Sequence, residues 1–180
     1  MARNKWDGLL KSRDIKLRPV RLADAEFLFR CERDPEARRN FMSADTRKEV
    51  ISKIMESVKE MRKRAPKSER FAVEWNGQLV GEIGIRRDLD NKSEAHQARI
   101  GFMIHKDFRG RGINTEAVKL ITNYAFKRYK VRRIWTYVRT FNTGSRRSLE
   151  KAGYKLEGVL RKNKFKDGKY LDDCIYAMVK

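Results

Sequence analysis

Histidine, cysteine and proline are scarce in this 180-residue chain, which holds two, two and three of them respectively. His96 and His105 have no partner at metal-ligand spacing, so no metal site is expected. Cys31 and Cys174 stand far apart and form no ligand or redox pair; buried free thiols of a reducing compartment are the expectation. No tract rich in Pro, Gly or Ser divides the chain, and it has neither repeats nor low-complexity segments. No apolar run approaches the roughly eighteen residues that a membrane-spanning helix needs. The opening "MARNKWDGLLKSRD" carries basic residues but no apolar core of signal-peptide length, so a cytoplasmic location is expected. Acidic residues are also few, 24 against 44 Lys and Arg, for a formal charge of +20. Residues 105–180 hold 20 basic and 7 acidic side chains, so the C-terminal half is the more basic one. Such an excess suits nucleotides, RNA or ribosomes as partners, and a surface tuned for solubility accounts for it equally well.

What is present reads as one domain with an ordinary apolar share of 40%. "IKLRPV" (15–20) alternates like a strand. "RLADAEFLFRCERD" (21–34) sets Leu22, Ala25, Leu28 and Phe29 on one helical face, with Pro35 just beyond its end. A longer amphipathic helix over 45–66 uses Val50, Ile54, Val58 and Met61. "RFAVEW" and "QLVGEIGIRR" flank Asn76-Gly77, a strong hairpin signal. "ARIGFMIH" (98–105) is another strand. From Asn114, the residues Ala117, Leu120, Ile121, Tyr124 and Ala125 follow helical spacing. "RRIWTYV" is a strand, 142–153 a short helix closed by Gly153, and two final strands turn at Asp167-Gly168. The order β-α-α-β-β-β-α-β-α-β-β implies a mixed α/β domain, antiparallel at its start and with βαβ units later.

The stretch "DFRGRGINTEAV" (107–118) places two glycines and two arginines between a strand and a helix. Unpaired amides at a helix N-terminus, reached over bare glycine backbone, make an anion site. A Walker A loop is excluded, because no Gly-Lys-Ser/Thr follows. The dinucleotide fingerprint is disfavoured: Thr115 stands at its third glycine, and Arg132 and Arg133 stand where an acidic ribose partner belongs. Arg109, Gly112 and Asn114 instead resemble Arg-x-x-Gly-x-Gly/Ala, the pyrophosphate loop of the GNAT family of N-acetyltransferases. "ARIGFMIH" stands upstream, where that family has its splayed cofactor strand. "NTGSRRSLEKAGY" (142–154) is similar to its Asn-x-x-Ala/Ser…Glu-Lys-x-Gly-Phe helix. "GRGINTEA", Asn142, Ser145 and the closing hairpin are most similar to the RimJ/RimL branch. That branch includes ribosomal-protein N-terminal, polyamine and small-molecule acetyltransferases.

This resemblance implies the GNAT fold, a mixed and mostly antiparallel sheet of about seven strands flanked by about four helices. It covers 15–180, after an extension (1–14) whose Trp6, Leu9 and Leu10 are expected to cover part of the core. It implies acetyl-CoA as cosubstrate, with the main chain of Phe102, Met103 and Ile104 pairing with the pantetheine arm. The amides of Gly110, Arg111, Gly112, Ile113, Asn114 and Thr115 would hold the pyrophosphate, Arg109 and Arg111 would add charge, and Asn142 would contact the cofactor arm. Ser145 would either stand near the sulfur and assist thiolate departure or bond backbone in the first helical turn.

Departures from the family leave its acid and base unassigned. The position of a general-acid Tyr, seven residues after Asn142, is Leu149; that of a Glu found in ribosomal-protein relatives is Tyr137. Glu82 serving as base through a water, and Asp172 orienting the amine, are candidates, with surface or structural roles the alternative. An α-amino group titrates near about 7.7–8.0, against about 10.4 for lysine, so an N-terminal amine needs the least help. A polyamine would also be repelled by a +20 protein. The expected activity is therefore acetyl transfer to a protein N-terminal α-amine, by a monomer or homodimer with a possible ribosome or RNA association. A polyamine or antibiotic acceptor is the rival within the class. A basic RNA- or ribosome-associated module without strong catalysis is the rival outside it. "KRYKVRR" (127–133) mixes cations and aromatics as RNA patches do, although cations at a helix end also complement its dipole.

Overall fold

The computed structural model describes residues 10–40 and 44–180. Its strands are β1 (Ile15–Pro19), β2 (Ser68–Trp75), β3 (Gln78–Arg86), β4 (Gln97–Ile104), β5 (Arg133–Arg139), β6 (Lys155–Lys166) and β7 (Lys169–Val179). They form one sheet of order β1-β2-β3-β4-β5-β7-β6. Both short hairpins turn as their sequences require. Asn76 and Gly77 have φ of 49° and 81°, and Asp167 and Gly168 have 48° and 73°, the left-handed pairs that match strand twist.

Every neighbouring pair is antiparallel except β4 and β5. A parallel pair needs a crossover, supplied by helix α4 (Ile113–Tyr129). The β4–β5 ladder covers only Gln97, Ala98 and Arg99 against Arg133, Ile134 and Trp135. One residue beyond, Thr136 Oγ1 donates to the Ile100 carbonyl at 2.8 Å, and the strands then run on unpaired. The edge of β4 over residues 100–104 thus faces a gap.

Helix α4 covers one face of the sheet with Ile113, Ala117, Val118, Ile121, Tyr124 and Ala125, all buried against β1, β3 and β4. Helices α1 (Ala25–Arg33) and α3 (Arg47–Met61) cover the other, packing Leu28, Val50 and Ile54 on Val20 and Ala72. Thr46 caps α3 by accepting from the Glu49 amide at 3.2 Å. The buried Glu69 of β2 accepts from the Tyr124 hydroxyl at 2.8 Å and also from Tyr129, tying the end of α4 to the sheet. Leu10 lies buried in the core, while Trp6 and Leu9 fall outside the described residues.

One sequence expectation needs correction, and one helix was not foreseen. Leu22 is 55% exposed, because it sits in a 3-10 turn that precedes α1 and points away from the helical face. Pro35 does not merely follow a helix. It opens a further one, α2 (Pro35–Asn40), where the missing N–H costs nothing and the fixed φ suits the first turn. Asp34 supports that start by accepting from the Ala37 amide at 2.9 Å. With α5 (Thr143–Lys151), the sheet carries five α-helices among the described residues rather than about four.

Helix α5 is held by Leu149, which has no exposed surface and packs in the main core. Leu149→Ala should lower the unfolding free energy by about 2–5 kcal/mol through the cavity it leaves. A urea titration reads this, and an unchanged midpoint would contradict the packing described.

Candidate active site

Beyond the end of β4 the chain makes a 3-10 turn (Lys106–Phe108), capped by His105 Nδ1 accepting from the Asp107 amide. It then passes through Gly110 and Gly112, both at φ 77°, into α4. Gly112 is the N-cap and brings no side chain to cap the helix. Among the described residues, no acceptor serves the amides of residues 110–115. A Cβ at Gly110 or Gly112 would meet no protein atom within 4 Å, so the space over this backbone is open. The left-handed φ and the open approach together make a row of donors fit for an anion. Asn114 adds a buried Oδ1 with no partner, an acceptor that an N–H of a bound ligand would satisfy.

The loop is anchored by Arg109. Its guanidinium reaches Glu36 at 2.5 Å and Asp34 at 3.3 Å, and its Nε donates to the Ile104 carbonyl at 3.1 Å. Burial pushes the Asp34 carboxyl up, but the Ala37 amide and Arg109 outweigh it and hold the group below the usual carboxylate range. Arg109 therefore ties the loop to the start of α2 while the loop amides stay free.

A cleft of about 540 Å³ runs from the open edge of β4, over the loop, to the first turn of α5. Phe102, Met103, Ile104, Arg109, Gly110, Gly112, Ile113, Asn114, Thr115, Asn142 and Ser145 all line it. Arg39, Arg147 and Lys151 add positive charge to its walls. A second cavity of about 300 Å³ lies in the β4–β5 gap, and Asn40, Phe102, Asn142 and Ser145 border both. Asn142 Oδ1 accepts from the Ser145 amide at 3.1 Å as the N-cap of α5. The Ser145 hydroxyl makes no bond to backbone or to any other described group, and it sits where the two cavities meet. A larger groove of about 1240 Å³, between α3 and the β3–β4 connection, contains none of the expected site residues.

Three expected residues are not brought to the cleft. Arg111 turns away, its guanidinium 5.3 Å from the centroid of the Trp75 ring, so only its amide remains available. Glu82 lies outside both cavities and accepts from Arg70 at 2.5 Å, an ion pair that satisfies it. Asp172 is likewise engaged, accepting from the Lys162 amide at 2.7 Å. Its neighbour Asp173 lines the second cavity instead, 1% exposed, bound to Arg139 at 2.5 Å and to Asn163 at 2.7 Å. Sequence reading missed Asp173, Arg139, Asn40 and Lys164, which four separate elements bring together. Arg147 and Lys151 were findable: they stand one helical turn apart on the face of α5 opposite Leu149. Burial pushes the Cys31 thiol up to about 12, so it remains a thiol and supplies no nucleophile. Among the described residues, no group of three or more His, Cys, Asp or Glu is placed to hold a metal, and no helix is long and apolar enough to cross a membrane.

Comparison with known proteins bears on this geometry. Residues 14–155 match the family described as an acetyltransferase (GNAT) domain. The chain is 31% identical over 178 residues to YjcK of Bacillus subtilis (strain 168), a probable N-acetyltransferase, covering 95% of this chain and 97% of that protein. YdaF of the same organism, a putative ribosomal N-acetyltransferase, is 31% identical over 106 residues, or 59% of this chain and 56% of that one. Among solved structures, RimL, a ribosomal L7/L12 alpha-N-protein acetyltransferase in complex with coenzyme A, superposes with a TM-score of 0.80. That match covers 93% of this chain and 95% of the other, and at 17% identity the likeness is one of fold.

Gly112→Leu tests the loop. The side chain would fill the open approach, and its left-handed φ adds strain of roughly 1–2 kcal/mol. Acetyl-CoA affinity measured by calorimetry should fall below detection while the circular dichroism spectrum keeps its native shape; an unchanged affinity would refute the assigned role.

Proposed function

The chain belongs to the acetyltransferase (GNAT) family, an acetyl-CoA-dependent N-acetyltransferase, and on that premise we propose that its acceptor is the α-amino group of a protein N-terminus, of the ribosomal-protein kind. The observation that carries this reading is the charge of the second cavity. Arg99, Arg139 and Lys164 line it against the single carboxylate of Asp173, which already serves Arg139 and Asn163. A polyamine entering there finds cations and no free acid. A peptide brings one amine, plus carbonyl oxygens and acidic side chains that those cations attract. The likeness to YdaF, a putative ribosomal N-acetyltransferase, and to RimL supports the same reading.

Bound acetyl-CoA supplies an activated acetyl group. The residues of this chain supply position. The free amides of residues 110–115 hold the pyrophosphate, and the open edge of β4 holds the arm, with Phe102 at the point where the cavities join. Ser145, at the same junction with an unengaged hydroxyl, donates toward the departing sulfur. The amine nitrogen attacks the acyl carbon, the C–S bond breaks, and the amine's proton leaves through water. Holding both reactants in line is the main contribution asked of the protein. Among the described residues, no side chain of the second cavity is a free carboxylate that could serve as base, so the acceptor must arrive neutral.

Release of CoA is the measurement of choice, with N-terminal peptides, spermidine and aminoglycosides as acceptors. Peptides are expected to turn over; turnover of spermidine but not of peptides would overturn the assignment. With peptides, kcat/KM should rise tenfold per pH unit and level off near about 8, the range of an α-amine. A rise continuing toward about 10 would mean a lysine-like acceptor. Ser145→Ala should lower kcat by at least tenfold with KM for acetyl-CoA nearly constant.

A further inference from the structure

One strongly charged feature lies beyond the acetyl-transfer site and touches it through Lys164 alone. The hairpin of β6 and β7 ends in "RKNKFKDGKY" (161–170), with five basic residues and one acid. Phe165 and Tyr170 face each other across the two strands, ring centroids 5.0 Å apart, and they are 64% and 63% exposed. Lys162 Nζ stands 5.7 Å from the centre of the Tyr170 ring. The pairing of β6 with β7 slips between Leu160 and Lys164, and Lys162 takes a left-handed φ of 53°. The resulting bulge, pinned by Asp172 on the Lys162 amide, turns Arg161 and Lys162 outward. Among the described residues, no ion pair engages Arg161, Lys162, Lys164 or Lys169. Lys166 differs, its ammonium donating to the Arg38 carbonyl and fixing the hairpin against the end of α2.

The other mixed stretch, "KRYKVRR", is organised differently. Its Tyr129 is half-buried with the hydroxyl on Glu69, and its Arg133 is bound to Glu157 at 2.7 Å. No ring there is free to receive a ligand. At the hairpin tip, two exposed rings stand together beside unpaired cations.

We propose that this tip binds unpaired RNA, with bases stacking on Phe165 and Tyr170 and phosphates held by Arg161, Lys162 and Lys169. Flat rings beside a track of cations match the two features every single strand offers, a π-face and a phosphate on each nucleotide. Duplexes hide their base faces, and unpaired bases in a cell are chiefly those of RNA. An acidic peptide would use the cations but leave the rings without stacking partners. A membrane fits less well, because the outermost residue of the turn is the exposed Asp167, and lysines stand level with the rings. The surface is independent of which amine the enzyme acetylates. It adjoins the second cavity through Lys164, so bound RNA would lie beside the acceptor entrance.

Fluorescence anisotropy with a labelled oligouridine of about twelve nucleotides tests the proposal. Phe165→Ala and Tyr170→Ala should each weaken binding about tenfold, the scale of one lost stacking contact. Lys162→Ala with Lys169→Ala should flatten the dependence of log affinity on log salt by about 0.7 per removed cation. Duplex RNA and phosphatidylglycerol vesicles serve as competitors and should compete poorly. Aromatic variants with wild-type affinity, or equal competition by duplex, would reduce the effect to general polyanion attraction and overturn the proposal. Binding to vesicles but not to oligouridine would overturn it in favour of a membrane surface. Both aromatic variants should keep native melting curves and unchanged CoA release with a short peptide, so failure of the RNA surface is distinguishable from failure of the acetyltransferase assignment.

Discussion

The parting of β4 from β5 after the Arg99–Trp135 pair is the constraint on which the whole site depends. Had the ladder continued, the edge of β4 would be satisfied by β5 and no gap would exist. Three parallel pairs are enough to set the register, and α4 closes the crossover. The Thr136–Ile100 bond marks where pairing stops. The second cavity is lined by both residues of that bond, and it shares Asn40, Phe102, Asn142 and Ser145 with the cleft. On the proposed reading, sheet topology fixes where cosubstrate and acceptor meet before any side-chain chemistry.

A second requirement is that the glycine loop be rigid without consuming its own donors. Arg109 meets it from the side, with one bond to the end of β4 and two to carboxylates at the start of α2. The sequence motif draws attention to Arg109 as a charge for the ligand. In the fold it acts as a strut between elements some seventy residues apart, an arrangement that depends on Asp34 and Glu36 flanking Pro35. The helix α2 that carries this anchor is an α-helix absent from the sequence reading. It has a single buried residue, Ala37, so no hydrophobic periodicity could announce it.

What was legible follows from local rules. The Asn-Gly and Asp-Gly turns, the amphipathic α3 and α4, and the strand–loop–helix around Gly110 and Gly112 each depend on residues close in sequence. What was not legible depends on partners distant in sequence. Glu82 reads as a free carboxylate on a strand until β2 brings Arg70 beside it. Arg111 reads as a loop cation until Trp75 of the same sheet offers its ring. Asp172 and Asp173 cannot be told apart in sequence. Their strand alternation sends one to the bulge and the other to the cavity floor.

The outer edge of the sheet carries one more consequence. β6 is a 12-residue terminal strand with Leu156, Val159 and Phe165 exposed, the type of edge on which a foreign strand can assemble. Its register is broken twice, around Gly158 and at residues 161–163, and its interior holds Arg161, Lys162 and Lys164. A strand of another molecule could keep its hydrogen bonds through neither break, and two copies of this edge would bring like charges face to face. The bulges and lysines of the hairpin therefore guard a long, sticky border against fibril-like growth, and a chain that lost them would be prone to aggregate even with its catalytic half intact.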